Sequence, residues 1–272
     1  VPELPLAKAK FHPSGSTIIM SGRSKAYYLA YDLQAGKVTR SASHLRPTNS
    51  GSMLQREFKF SPDGSVLAAV GESGHIYLID HKTSSTVGDM KANGLVEGLC
   101  WSKGGLELMT LGKDSQVYVW DVRMRRCVNR WADDGGFSGL GMEGDSKEQY
   151  VATSSATGIV NLYSQEEATK SNLAGESSTC KPLKTITNLT TAATTVAFNH
   201  DSQLLALASN AKKDSLKMMH LPSMTVFSNW PTMKTPLGTV TSVSFSKASE
   251  YLAVGNEKGK VLLYMLPHFA RK

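Results

Sequence analysis

Basic side chains recur in the short turns that separate apolar runs of this chain. Ammonium and guanidinium groups bind phosphates and carboxylates, and a turn presents them to solvent. Acidic residues are fewer in the turns that follow the second apolar run of each repeat. These turns predict a surface that contacts phosphate or an acidic peptide, against the alternative that they only keep the protein soluble. The basic residues concerned are Arg23, Lys25, Lys113, Lys212, Lys213, Lys258 and Lys260.

A second basic group comprises Arg123, Arg125 and Arg126, with Arg130 close behind. It follows a third apolar run, so we expect it on the opposite rim of the fold from the first set. Clustered positive charge favours a polyanion over a neutral ligand. We therefore regard these arginines as further candidates for contact with RNA or an acidic partner.

Enzyme and cofactor motifs are incomplete in this chain. Residues 139–144 match the glycine pattern GxGxxG, but dinucleotide binding also needs a preceding strand, a following helix and a later acidic residue. We interpret the stretch as an inner strand with its turn. The histidines are scattered, and the equivalent positions of His12 and His200 follow from sequence repetition. The sequence therefore predicts no catalytic, cofactor or metal site and no enzymatic activity.

The elements that carry the basic turns are short strands that recur along the chain. Residues 239–266 contain three apolar runs separated by turn residues, and five earlier segments repeat this pattern. The ends of the third runs recur every 41 to 57 residues, and one of them is Trp120-Asp121. A period near about 40 to 45 with a terminal Trp-Asp is typical of WD repeats, each of which forms one four-stranded propeller blade.

The predicted fold is therefore an all-β propeller of the WD40 type, forming one domain over residues 1–272. Six blades are visible, and we expect a seven-bladed ring whose first blade and N-terminal extension are missing from this chain. In such a ring the turns between second and third strands share one face, the top face. The repeats cover residues 6–48, 54–92, 95–132, 137–188, 192–231 and 239–266.

A fourth, outer strand is expected in five of the six repeats. The sixth repeat has no sequence left for one, and Pro2 and Pro5 prevent the first residues from supplying its hydrogen-bond donors. Residues 164–182 are polar and rich in Ser and Thr, which predicts a flexible insertion. The expected outer strands lie at 37–42, 86–91, 126–131, 183–186 and 225–230.

Two residue types are expected to support the blades. Asp114 occupies the turn position where strong WD repeats hold a hydrogen-bond network, and the other blades lack this aspartate. The four tryptophans are expected to be structural, with the alternative that Trp131 or Trp230 contacts a partner. These blades should therefore depend mainly on apolar packing.

Composition restricts the class of protein further. The 272 residues carry a net charge of +7, and no apolar run approaches the length of about 20 residues that spans a membrane. Cys100, Cys127 and Cys180 are odd in number and share no metal-binding spacing, which favours a reducing compartment. The positive charge favours acidic partners such as nucleic acid.

Three stretches go beyond the generic repeat. They are GNEKGK at 255–260 with LLY at 262–264, HLPSMTVFSNWP at 220–231, and WDV at 120–122 with RCVNR at 126–130. In these stretches the chain resembles the family of U3 small nucleolar RNA-associated protein 18, and the similarity runs from about residue 4 to the end.

The resemblance implies a non-catalytic scaffold in the nucleus and nucleolus. The family belongs to the UtpB subcomplex of the small-subunit processome, which assembles on pre-ribosomal RNA with the U3 small nucleolar ribonucleoprotein and is needed for 18S rRNA maturation. It implies UtpB and processome proteins as partners, RNA contact by charge, and no cofactor, membrane or small-molecule substrate. The family's N-terminal motif that recruits an RNA helicase has no counterpart here.

One alternative function stays open at this point. A WD40 adaptor or peptide reader, in ubiquitin ligation or chromatin, would need an aromatic cage or an arginine at the centre of its top face. The top turns offer lysines and few aromatic residues, which favours the scaffold.

Overall fold

The structure, a computed structural model, describes residues 6–22, 27–41, 57–170, 179–231 and 236–269. These residues form 23 β-strands, two 3-10 turns and one helical turn. The strands are organised in six separate sheets, each with its strands in chain order. The all-β class and the six blades predicted from the repeats are thereby confirmed.

The chain divides into two compact units, which are described separately. The first comprises Val1–Gly112 and Tyr118–Val128, and the second comprises Lys113–Val117 and Asn129–Lys272. Whether both belong to a single domain and a seven-bladed ring stays a prediction.

The first three sheets have four strands each. The first contains β1 (Leu6–Phe11), β2 (Thr17–Gly22), β3 (Tyr28–Asp32) and β4 (Lys37–Arg40). The second contains β5 (Phe58–Phe60), β6 (Val66–Val70), β7 (His75–Asp80) and β8 (Thr86–Lys91), with a 3-10 turn at Glu72–Gly74. The third contains β9 (Val96–Ser102), β10 (Glu107–Gly112), β11 (Gln116–Asp121) and β12 (Arg126–Ala132), with a 3-10 turn at Lys103–Gly105.

The last three sheets lie in the second unit. The fourth contains β13 (Gly139–Gly144), β14 (Tyr150–Ser155), β15 (Val160–Ser164) and β16 (Lys184–Ile186), and the fifth contains β17 (Thr195–Phe198), β18 (Leu204–Ala208), β19 (Leu216–His220) and β20 (Thr225–Val226). The sixth contains β21 (Val240–Phe245), β22 (Tyr251–Asn256) and β23 (Val261–Met265). As predicted, this last sheet has three strands among the described residues.

The structure departs from the sequence prediction in two places. The outer strand expected at 225–230 is only the two residues of β20, because the chain turns away after Val226. The polar insertion at 164–182 begins with a helical turn, α1 (Gln165–Ala168), in which Ala168 is fully buried. Residues 171–178 of this insertion lie outside the described residues.

The same side-chain-to-backbone hydrogen bond precedes the second strand in several sheets. The residue directly after the first strand carries a side-chain oxygen that accepts a hydrogen bond from the amide that opens the second strand. Asn199 Oδ1 accepts the amides of Gln203 and Leu204, and Ser246 Oγ accepts that of Tyr251. Such residues satisfy turn amides that would otherwise lack a partner, which is why Ser, Asp or Asn recurs at this position.

Apolar side chains between neighbouring sheets form the core of each unit. In the first unit, Trp101 and Trp120 are buried in one cluster, and their ring nitrogens donate to Lys59 O (3.1 Å) and Thr110 Oγ1 (2.9 Å). In the second unit, Trp131 is fully buried and Trp230 packs edge-on against Tyr264. The buried Trp101, Trp120 and Trp131 have the structural role expected of them, and Trp131 is not available to a partner. Trp230 is half-buried, so its contact with a partner stays a prediction.

Candidate nucleic-acid interface

Hydrogen bonds join the turn that carries Lys212 and Lys213 to the segment that leads into β21. Asp214 Oδ1 accepts hydrogen bonds from the amides of Leu237 (2.6 Å) and Gly238 (3.0 Å). The amide of Asp214 donates in turn to the carbonyl oxygen of Gly238 (2.9 Å). These three bonds fix the position of the β18–β19 turn and leave both lysine side chains exposed.

The turn that carries Lys258 and Lys260 is latched to the same segment. Asn256 Nδ2 donates to the carbonyl oxygen of Leu237 (3.1 Å), and the amide of Glu257 donates to that of Thr239 (3.0 Å). Asn256 Oδ1 also accepts the amides of both lysines, which closes the turn. Residues 237–239 therefore bring two lysine-bearing turns from neighbouring sheets together, and the fully buried Leu237 anchors them.

We name Lys212, Lys213, Lys258 and Lys260 the lysine surface. All four side chains are exposed, and within the described residues none pairs with a carboxylate. Of the two acids in these turns, Asp214 uses one oxygen on backbone amides, and the side chain of Glu257 is exposed. The positive charge of this surface is thus available to an external anion.

Of the other predicted top-face residues, Lys113 does not share the anchoring segment of this surface. Lys113 is exposed in the β10–β11 turn, and a different segment holds that turn, because Ser115 O accepts the amide of Asp133 (2.9 Å). Arg23 and Lys25 lie outside the described residues. The described chain therefore assembles four of the seven predicted residues.

The predicted arginine cluster lies in the β11–β12 turn of the first unit. Arg123, Arg125 and Arg126 are exposed, and Asp121 Oδ1 accepts the amide of Met124 (2.7 Å) to close the turn. Arg125 has a positive φ of 53°. Its side chain lies against Gly88 of β8, the outer strand of the second sheet.

A buried hydrogen-bond network is centred on Asp133. Asp133 Oδ1 accepts hydrogen bonds from Thr153 Oγ1 (2.7 Å), Asn161 Nδ2 (3.0 Å) and Tyr163 OH (2.7 Å). Burial, together with the neighbouring Asp133 carboxylate, raises the pKa of Tyr163 well above its ordinary value. Asp114 is exposed, and its side chain accepts the amide of Gln116 (3.2 Å) in its own turn.

Sequence reasoning missed Asp133 because residues 133–136 read as a solvent-exposed Asp-Asp-Gly-Gly turn. A signal was present, since Asn161 and Tyr163 are two apart on one strand and therefore face the same side. The carboxylate thus stabilises the entry into the fourth sheet, and its accepting oxygen is occupied by protein donors.

The remaining candidates for chemistry have structural surroundings. Gly139–Gly144 is strand β13, paired antiparallel with β14, as the sequence interpretation required. His12 stacks on His81 with ring centroids 4.6 Å apart. A hydrogen bond of 2.7 Å joins His12 Nδ1 and Ser14 Oγ. Burial, with a further contribution from His12, lowers the pKa of His81. The described residues contain no cluster of three or more side chains suited to a metal ion.

No helix among the described residues is long and apolar enough to span a membrane.

Blade-like antiparallel sheets joined by turns at both ends place the protein in the class of WD40-type β-propellers. A stretch of 74 residues is 38% identical to WD repeat-containing protein 1 of Xenopus tropicalis, over 26% of the chain. No family model matches the chain.

Longer matches identify the family. The chain is 38% identical over 98% of its length to U3 small nucleolar RNA-associated protein 18 homolog of Arabidopsis thaliana, and 37% identical over 98% to the Homo sapiens homolog. It is 34% identical over 79% of its length to U3 small nucleolar RNA-associated protein 18 of Saccharomyces cerevisiae. The chain belongs to this family and covers 47%, 46% and 39% of these three relatives.

Proposed function

We propose that this protein is a non-catalytic scaffold subunit of the small-subunit processome. In this role it acts within the UtpB subcomplex, with the U3 small nucleolar ribonucleoprotein, in the pre-rRNA processing that yields 18S rRNA. Its place of action is the nucleolus. The observation that carries the proposal is the 38% identity, over 98% of the chain, to a relative named for its association with U3 small nucleolar RNA.

We infer further that the lysine surface contacts the RNA of this particle directly. Its four ammonium groups come from two turns that share one anchoring segment, so they present a compact positive surface. Phosphate contacts of this kind position a protein on RNA without reading its sequence. That suits a scaffold, which must hold RNA and neighbouring proteins together.

The proposal of a non-catalytic role is supported by how the buried polar groups are used. Asp133, Asp145 and Asn199 are all buried, and each accepts hydrogen bonds that organise the start of a strand or a turn. Such groups stabilise the sheets in their present form. Their removal should alter stability before it alters any chemistry.

Crosslinking of the full-length protein to RNA in cells tests the proposed role. We expect crosslinked reads to concentrate on the 5′ external transcribed spacer and on U3 RNA. Substitution of the lysine surface, K212E/K213E/K258E/K260E, should remove most of these reads while the protein stays folded. For binding to single-stranded RNA in vitro, the slope of log K against log salt should fall by up to about 3, because each lost phosphate contact removes about 0.7.

The matched control for K212E/K213E, which reverses two of the four charges, is K147E/K247E. These exposed lysines lie in turns between first and second strands of the fourth and sixth sheets, at the other end of the strands. The control should keep its crosslinks. If both variants lose RNA equally, overall charge explains binding and the lysine surface has no special role. If nucleolar proteins are recovered without any RNA reads, the protein is a scaffold for proteins alone.

A further inference from the structure

The β11–β12 turn presents three exposed arginines within four residues. Arg123, Arg125 and Arg126 are exposed, and within the described residues none of them is paired with a carboxylate. The nearest acid in sequence, Asp121, uses its carboxylate to accept the amide of Met124. Three like charges within four residues repel one another, and an external anion relieves that repulsion.

Gly88 provides the surface on which the Arg125 side chain lies. A Cβ atom at residue 88 would come within 2.8 Å of Arg125 Nε, 3.1 Å of its Cδ and 3.2 Å of its Cζ. Gly88 is buried in β8, two residues before the core residue Met90. The side chain of Arg125 therefore occupies the space that any larger residue at position 88 would fill.

This contact restricts a side chain that is otherwise long and mobile. The guanidinium group of Arg125 lies beside Gly88, and the residue as a whole remains open to solvent. A planar guanidinium binds the two oxygens of a phosphate with a pair of parallel hydrogen bonds, and prior ordering reduces the entropy lost on binding. Arg123 and Arg126 add charge on either side of this fixed group.

We propose that the β11–β12 turn binds the phosphodiester backbone of RNA, with Arg125 as its fixed contact and Gly88 as the residue that positions it. The proposal rests on the proposed function for its class of partner, RNA. It uses residues other than the lysine surface, so the two can fail separately.

The test measures binding of a labelled oligouridine to the full-length protein at low salt. We expect Arg125→Ala to weaken binding about fivefold to tenfold and to lower the salt slope by about 0.7. Gly88→Ala should weaken it to a similar extent, because the added methyl group displaces the guanidinium group. The double variant should bind no more weakly than Arg125→Ala alone, since both changes remove one contact.

A purely structural role for Arg125 predicts a different outcome. The residue would then only cover the edge of the second sheet, and Gly88→Ala would change the unfolding midpoint but leave RNA affinity unchanged. That result overturns the proposal. Gly88 has an ordinary φ and Ala suits a strand better than Gly does, so we expect the variant to fold. Lys37→Ala, which removes one exposed charge from β4, should leave binding nearly unchanged.

Two further measurements separate the partner classes and the two surfaces. If a polyglutamate peptide binds with the same dependence on Arg125 and oligouridine does not bind, the partner is an acidic protein and the RNA proposal is wrong. If the lysine-surface variant loses oligouridine and the Arg125 and Gly88 variants do not, RNA binding stands and the inference about this turn fails.

Discussion

The second unit uses its charged and polar residues in two opposite ways. Around Asp133, one buried carboxylate oxygen accepts three hydrogen bonds from side chains of the fourth sheet. At the lysine surface, four ammonium groups are exposed and have no carboxylate partner within the described residues. The first arrangement satisfies its polar groups internally and so stabilises the fold. The second leaves its charge unsatisfied, which suits contact with a partner.

The largest effect expected is that of Asp133→Ala. It leaves the donors of Thr153, Asn161 and Tyr163 buried without their acceptor, which should lower the free energy of unfolding by about 3 kcal/mol or more. Chemical denaturation measures this loss. The matched control is Asp114→Ala in an exposed turn, where we expect a loss below about 1 kcal/mol. If both variants lose the same free energy of unfolding, burial does not determine how much the Asp133 network contributes to stability.

The contrast between these two aspartates shows what the sequence could reveal. Strand patterns gave the six sheets, and the outer strand expected at 86–91 coincides with β8. The sequence analysis named Asp114 as a network-forming aspartate and did not find Asp133, because the partners of Asp133, Thr153, Asn161 and Tyr163, lie 20, 28 and 30 residues away. A local pattern of Asp and Gly does not distinguish a turn in solvent from one enclosed by later strands.

The candidate site was predictable in its residue types but not in its construction. Turn position predicted that Lys212, Lys213, Lys258 and Lys260 share a face. Residues 237–239 join the two turns through side-chain and backbone hydrogen bonds to two sheets. Such bonds leave no periodic pattern in the sequence, so they could not be predicted from it. Similarly, the helical turn Gln165–Ala168 is too short for its period to show in the sequence.

The second prediction concerns the latch that organises the lysine surface. Asp214→Ala removes the acceptor for the amides of Leu237 and Gly238, and we expect it to lower the free energy of unfolding by about 1 to 2 kcal/mol. It should also weaken binding of single-stranded RNA about threefold, because the turn no longer holds its lysines in place. Titration with labelled RNA measures this effect.

The control for this variant is Glu257→Ala in the neighbouring turn. This variant removes the same negative charge but keeps the hydrogen bond to the anchoring segment, because the backbone amide of Glu257 donates that bond to Thr239 O. Charge alone predicts tighter RNA binding for both variants. Tighter binding by Asp214→Ala would therefore contradict the view that the lysine surface depends on its geometry as well as on its charge.

The smallest expected effect is on the pH dependence of stability and concerns His81 in the first unit. This side chain is half-buried, between the buried Asp133 and the exposed lysine surface. Burial lowers its pKa below the ordinary value of 6.5, His12 adds to this effect, and Asp80 opposes it. The unfolded chain therefore takes up a proton at higher pH than the folded one. The stability that neutral His81 contributes is complete above about pH 6.5 and declines as the pH falls through the lowered pKa.

Denaturation midpoints measured on both sides of pH 6.5 test this dependence. The variant His81→Phe keeps an aromatic ring beside His12 and Phe60 but cannot take up a proton, so its midpoint should change less with pH. An unchanged pH dependence in His81→Phe would assign the effect to another group. His81 would then stabilise the first unit as a packed aromatic ring and not through its protonation state.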